Sequence, residues 1–377
     1  MHMRNVTSLY QVYELSGSSF QLGFTGFFQA LPFICFGLFG GVLADVFNRK
    51  TLIVSTQFLN IFPGLVLALL TATKSIEVWH VNALILVSAS LQVLGGPARQ
   101  AIVPSLIPTS HLMNAITLTT IMQQGTQLTG PVIAGYLIDL VGLDKAYLFD
   151  GLLLLPSVIA VLLVKSSGRP QGVRRQIKWR SLIEGFEFIW QQRIILSLIL
   201  LDFFAVLVGF YRPILPIFAS DVFLVGAGGL GALYAAPAIG ALVGSAAILS
   251  AGDFKRKGAV AVVGTFGFAL GLGFLGISQW FWMGLVALGI LGVTDAVGVA
   301  IRRTVVQYLA PDDMRGRAAS FLTVFAQTTN AIGAVIAGAA AALVGASNAL
   351  LLGCVLCIAM IFGVCRAIPQ LWSYRSD

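Results

Sequence analysis

The chain has 377 residues, of which 58% are hydrophobic and only 10% charged. A soluble domain carries about 25% charged residues, so a soluble globular protein is excluded. The net charge of +8 does not point to nucleic acid, because cytoplasmic loops of membrane proteins concentrate Lys and Arg.

Residues 4–15 form a short, partly polar segment. It is shorter than the ~20 residues that cross ~30 Å of hydrocarbon. Apolar runs then cover 19–44, 51–73, 80–107, 113–141, 146–165, 194–218, 226–250, 258–277, 281–309, 318–344 and 346–367. These are eleven predicted spans plus a fragment. Lipid offers no partners to backbone N–H and C=O groups, so each span is predicted to be a helix. The stretch 166–193 breaks the apolar texture with basic and polar residues. It is predicted to be a linker with an amphipathic helix at the membrane surface. The chain thus divides into an N-terminal half, 1–165, the linker 166–193, and a C-terminal half, 194–377. The start of the chain lacks a basic region followed by an apolar one, so no cleavable signal peptide is predicted.

Lys and Arg set the orientation. One set of alternate loops holds Arg49 and Lys50, the linker cluster from Lys165 to Arg193, Lys255 to Lys257, Arg315 and Arg317, and Arg366 and Arg375. The opposite set holds only Lys74 and Lys145. The first set, with the linker and the C-terminus, is predicted to be cytoplasmic.

The two halves repeat. Placing Pro108 on Pro311 puts Arg99 on Arg302, Gly130 on Gly333 and Gly135 on Gly338. Val-Ile-Ala at 132–134 then falls on Val-Ile-Ala at 335–337. Gly23, Gly26 and Pro32 pair likewise with Gly228, Gly231 and Pro237. The order and sidedness are the same in both halves. An even number of helices must therefore separate them, which predicts six per half.

Gly41, Asp45, Arg49 and Lys50 stand in the frame Gly-x-x-x-Asp-x-x-x-Arg-Lys. This resembles motif A of the major facilitator superfamily, between helices 2 and 3. Gly125, Gly130, Pro131 and Gly135 resemble the helix 5 antiporter motif, with slightly altered spacing. The stretches 11–18, 29–45 and 95–108 resemble the bacterial efflux branch of siderophore (enterobactin) exporters and macrolide efflux proteins. The resemblance implies an all-α membrane protein of the major facilitator fold, with two six-helix pseudo-symmetric halves. It also implies about 20 further residues ahead of a segment like 3–15. Either the start is assigned too late, or helix 1 is truncated at its N-terminus.

Several residues are candidates for mechanism. Gly41 allows helix 2 to pack closely. Asp45 is expected to face a helix N-terminus, where its charge is favoured. Arg49 and Lys50 are expected to bridge to carboxylates or to anionic lipid headgroups, unless they are only topogenic charges. Asp253 and Lys257 form a degenerate second copy of this loop. Arg99, Arg302 and Arg303 lie near the cytoplasmic ends of helices 4 and 10. They either latch the gate by pairing with Asp45 and Asp253 or snorkel to the interface.

Asp295 lies in mid-span, where an unpaired carboxylate is costly. It is a candidate for proton coupling, with a structural hydrogen bond as the bland reading. Its repeat counterpart is Gln92. Arg212 and Arg4 are further deep charges, and Gln29, Gln92 and Gln123 are candidate cavity residues. Glu14, Asp139 and Asp150 are read as interfacial. Gly125, Gly130, Pro131, Gly135, Gly333 and Gly338 are expected to bend and tightly pack helices 5 and 11.

No GxxxxGK[ST] stretch is present, so ATP hydrolysis is not expected. His2, His80 and His111 are isolated, and Cys35, Cys354, Cys357 and Cys365 lie within apolar runs. No enzyme activity, metal or cofactor is expected. The expected function is proton-coupled export of a drug-like or siderophore-like organic molecule by alternating access. The expected setting is the inner membrane, with lipids as neighbours and the protein a monomer. Competing readings are an importer or uniporter of the same fold, and a non-transporting membrane sensor.

Overall fold

The computed structural model describes residues 2–108, 111–164, 186–252, 256–311 and 314–373. Asp253, the side chain of Asp45, residue 165 and residues 166–185 of the predicted linker lie outside the described residues. Residues 186–191, at the end of that linker, are helical.

The described residues fold into helices and no strands. The first half holds α1 (His2–Ser16), α2 (Ser19–Val46), α3 (Arg49–Leu59), α4 (Ile61–Ala72), α5 (Val78–Leu106), α6 (Leu112–Val141), α7 (Leu143–Leu152) and α8 (Leu154–Leu163). The second half holds α9 (Arg193–Gly209), α10 (Gly226–Ala251), α11 (Lys257–Ile277), α12 (Phe281–Leu309), α13 (Arg315–Val344) and α14 (Ala346–Ala367). α3 and α4 make one span interrupted at Asn60, and α7 and α8 make one span interrupted at Leu153.

Ten spans among the described residues have the length and apolar character to cross a bilayer. The predicted run 113–141 is a single 30-residue helix, α6, but is not among those ten. Its first half carries Thr117, Thr119, Thr120, Gln123, Gln124 and Thr126, which lower its apolar character without shortening it.

The chain clusters into two compact units, Met1–Gly17 with Phe28–Ile177, and Ser18–Phe27 with Lys178–Asp377. The first turns of α2 therefore pack with the second unit. Sequence reading placed them in the first half, because hydropathy carries no information about which neighbour a helix touches.

Small residues set the helix crossings, as they do where lipid removes the hydrophobic drive between helices. A Cβ at Gly130 would lie 3.0 Å from His2 Cβ, where α6 crosses α1. A Cβ at Gly333 would lie 2.9 Å from the Val206 carbonyl oxygen, where α13 crosses α9. Repeat-related glycines thus meet the first long helix of their own half. The core of the second unit is a cluster that includes Ile195, Leu198, Leu201, Val305, Ala318 and Ile361. A smaller cluster of Ala44, Ile53, Ala98 and Ile102 joins α2, α3 and α5 in the first unit.

α3 starts after Asn48, whose side chain accepts from the N–H groups of Lys50 (2.9 Å) and Thr51 (3.3 Å). This satisfies two of the free donors at the helix start. The cap fixes where Arg49 and Lys50 leave the loop.

Candidate functional site

Arg4 is the hub of the first unit. It is 4% exposed, although an arginine cannot shed its charge. Its Nε lies 2.6 Å from Asp150 Oδ2 on α7. Its Nη1 donates to Asn60 Oδ1 at 2.8 Å and to Ser88 Oγ on α5 at 2.6 Å. Both terminal nitrogens donate to the Asn60 carbonyl at 3.2 Å. Nearby, the Tyr147 hydroxyl donates to Ser8 Oγ at 3.4 Å. Buried charge needs this degree of pairing, because desolvating an ion costs several kcal/mol.

Asp150 is thus not left in water. It is 6% exposed and neutralises Arg4. The helix begins at Leu143, so Asp150 lies two turns inside it, deeper than the apolar run from 146 suggested. Asn60 and Ser88 are site residues that sequence reading missed. The clue in the sequence was Arg4 itself, a charge at membrane depth that requires a counter-charge.

A cavity of about 100 Å³ adjoins this cluster. Arg99, Gln92 and Gln57 line it together with Arg4, Asn60 and Asp150. Gln92 is half-buried and Arg99 is exposed. Arg99 Nη2 donates to the Gln92 carbonyl at 3.4 Å, a long bond.

The second unit holds a different pair. Arg302 Nη1 lies 2.7 Å from Asp202 Oδ1 and joins α12 to α9. Both side chains are about 20% exposed. Asp202 lies well inside α9, which begins at Arg193. Asp295 precedes Arg302 by seven residues on α12, which puts both on one face about 10 Å apart along the axis. Asp295 is exposed and makes no direct hydrogen bond or ion pair among the described residues, but its charge interacts with the Arg212 guanidinium. Arg303 and Arg212 are exposed, and the Arg212 carbonyl accepts from the Tyr234 hydroxyl at 2.7 Å.

The motif A cations make contacts other than those expected. Arg49 Nη1 donates to the Ala101 carbonyl at 3.0 Å. Lys50 Nζ donates to the carbonyls of Leu162 and Val164, each at 2.8 Å. Those carbonyls close α8, where the last C=O groups lack helical partners and the dipole favours a cation. The second-copy residue Lys257 is buried, with Nζ 5.0 Å from the centre of the Tyr308 ring. Gly41 is half-buried, and Gln29 Nε2 is buried with no partner among the described residues. Gln123 is exposed, as is Gly125, which has open space where a Cβ would stand. Pro131 and Gly135 are buried within α6. Among the described residues no cluster of His, Cys, Asp and Glu is placed to hold a metal ion.

Known structures define the class. The chain superposes on the nucleoside transporter NupG with a TM-score of 0.76 at 12% identity, covering 99% of this chain and 97% of that one. It superposes equally, with a TM-score of 0.76, on an inward-facing bacterial homologue of the human lysosomal transporter Spinster. There the identity is 14% and the cover is 100% and 96%. At such identities the likeness speaks to the fold alone, and that fold is the major facilitator fold.

The profile of the transmembrane secretion effector family of this superfamily matches residues 1–375, and the chain belongs to that family. It is 27% identical over 334 residues to the enterobactin exporter EntS of Shigella dysenteriae serotype 1, covering 87% of this chain and 78% of the relative. The EntS of Escherichia coli O139:H28 matches to the same extent, 27% over 334 residues. The protein is a multi-pass membrane protein and a secondary transporter rather than an enzyme, as its family and relatives bear out.

Proposed function

We propose that the protein exports a siderophore-like or drug-like organic molecule by alternating access, driven by the proton gradient. The different pairing of two carboxylates carries this reading. Asp202 pairs directly with Arg302 at 2.7 Å, while Asp295, on the same face of α12 as Arg302, has no direct ion pair among the described residues and interacts with the Arg212 guanidinium only at longer range. A carboxylate at membrane depth without a direct partner is tolerated when it takes up a proton or meets water. A group that alternates between the two is a proton carrier. The EntS relatives are enterobactin exporters, which makes an enterobactin-like siderophore the first substrate to try. The Lys and Arg pattern supports a cytoplasmic linker and C-terminus in the inner membrane, with the monomer as the working unit.

The test uses proteoliposomes and an efflux-deficient host. The wild-type protein is expected to export a siderophore faster when the pH gradient is imposed and to stop when it is collapsed. Asp295→Asn removes the exchangeable proton and keeps the shape. It is expected to abolish the dependence on the pH gradient while substrate binding persists. Export by Asp295→Asn that still follows the gradient would sink the coupling assignment.

A further inference from the structure

Arg99 and Arg302 occupy equivalent places in the repeat, but among the described residues Arg302 has a carboxylate partner, Asp202 at 2.7 Å, and Arg99 has none. The cavity beside Arg99 holds two guanidinium groups, Arg4 and Arg99, and one carboxylate, Asp150. Asp150 is already engaged with Arg4 at 2.6 Å. The cavity therefore carries a surplus positive charge.

The side chain runs into the span rather than towards its nearer end. Arg99 lies seven residues before Leu106, the end of α5. A snorkelling arginine would turn towards that nearer end. Instead Nη2 reaches back to the Gln92 carbonyl, seven residues further into the helix. At 3.4 Å that bond holds the guanidinium loosely. The head group thus lies over a cavity with the amides of Gln57, Asn60 and Gln92 around it. About 100 Å³ admits several waters or a small oxyanion head group.

We propose that this recess in the first unit binds a carboxylate, with the Arg99 guanidinium taking the anionic group of the transported molecule. The guanidinium fork matches a carboxylate in two parallel hydrogen bonds. The Arg4–Asp150 pair forms the neutral wall that keeps Arg99 as the cation on offer. The assignment of this anion to cargo rests on the transporter reading given above; the recess itself does not.

The experiment is equilibrium binding of radiolabelled benzoate to the purified full-length chain in detergent, with benzamide as the neutral competitor of the same shape. Saturable benzoate binding that benzamide does not displace is expected. Arg99→Gln is expected to weaken it roughly 10- to 100-fold, the loss of a charge-assisted hydrogen-bond pair. Arg99→Lys keeps the charge without the fork and is expected to bind in between. Lys74→Gln, a charge loss at an exposed site outside the cavity, is expected to bind as the wild type does. Absence of benzoate binding, equal displacement by benzamide, or unchanged binding by Arg99→Gln overturns the recess. Should Arg99→Gln fail to fold, the benzoate–benzamide comparison on the wild type still decides. Selective benzoate binding without siderophore export overturns the exporter reading alone. Export without selective binding overturns the recess alone.

Discussion

Asp150→Asn is expected to destabilise the protein by about 3–5 kcal/mol, the cost of stranding one member of a buried ion pair. The stranded group is the Arg4 guanidinium, which is 4% exposed and cannot lose its proton. Arg4→Met is expected to cost less, because the carboxyl left behind at Asp150 can be neutralised by a proton. The double variant, Arg4→Met with Asp150→Leu, is expected to be more stable than Asp150→Asn alone. A paired charge replaced by apolar groups of similar volume is often close to neutral. It will not regain the wild-type level, because Asn60 and Ser88 lose the donor that both now accept from. Denaturant unfolding in micelles, followed by tryptophan fluorescence, measures all three. Equal destabilisation by the two single variants, or a double variant that simply adds their costs, contradicts this account of the pair.

The second large effect belongs to Gly338. A Cβ there would lie 2.6 Å from Gly23 Cα and 2.7 Å from the Ser19 carbonyl oxygen. A Cβ at Gly23 would in turn lie 2.5 Å from the Ala334 carbonyl oxygen. Every one of these neighbours is backbone, so no side chain can swing aside. Gly338→Val is expected to cost about 3 kcal/mol, the upper range of overpacking penalties. It should also loosen the first turns of α2, so that a cysteine introduced at Ser19 reacts faster with a thiol reagent. Gly363→Ala is the matched control. It has open space at its Cβ, and is expected to be neutral or to stabilise by up to ~1 kcal/mol through helix propensity. Comparable losses from both substitutions would mean that close approach is not what Gly338 provides.

Much of this architecture was legible in the sequence. Apolar runs near 20 residues located the helices, because lipid leaves few other choices. The repeat of Gly130 and Gly333 reappears as two equivalent crossings, since both glycines serve the same packing need. α6 was legible as a helix from its length, while its polar first half sets it apart from the other spans. The charge pairs were less legible. Arg4 was singled out and Asp150 was set aside, because a span's edge is uncertain by a turn or more and an acid near an edge reads as wet. Arg49 and Lys50 were expected to seek carboxylates or lipid headgroups, but Arg49 found the Ala101 carbonyl of α5 and Lys50 the carbonyls that close α8. Sequence reading weighs side chains against side chains and does not see the unpaired backbone at such ends.

The interruption at Asn60 has a mechanical consequence. Pro63 follows it and has no N–H to give back to the helix. The Arg4 guanidinium lies against the Asn60 carbonyl at this break, while also holding α5 and α7. Four segments of the first unit are thereby bolted to one point. They must move as a rigid body, and whatever flexing a transport cycle asks of this unit has to occur away from that bolt.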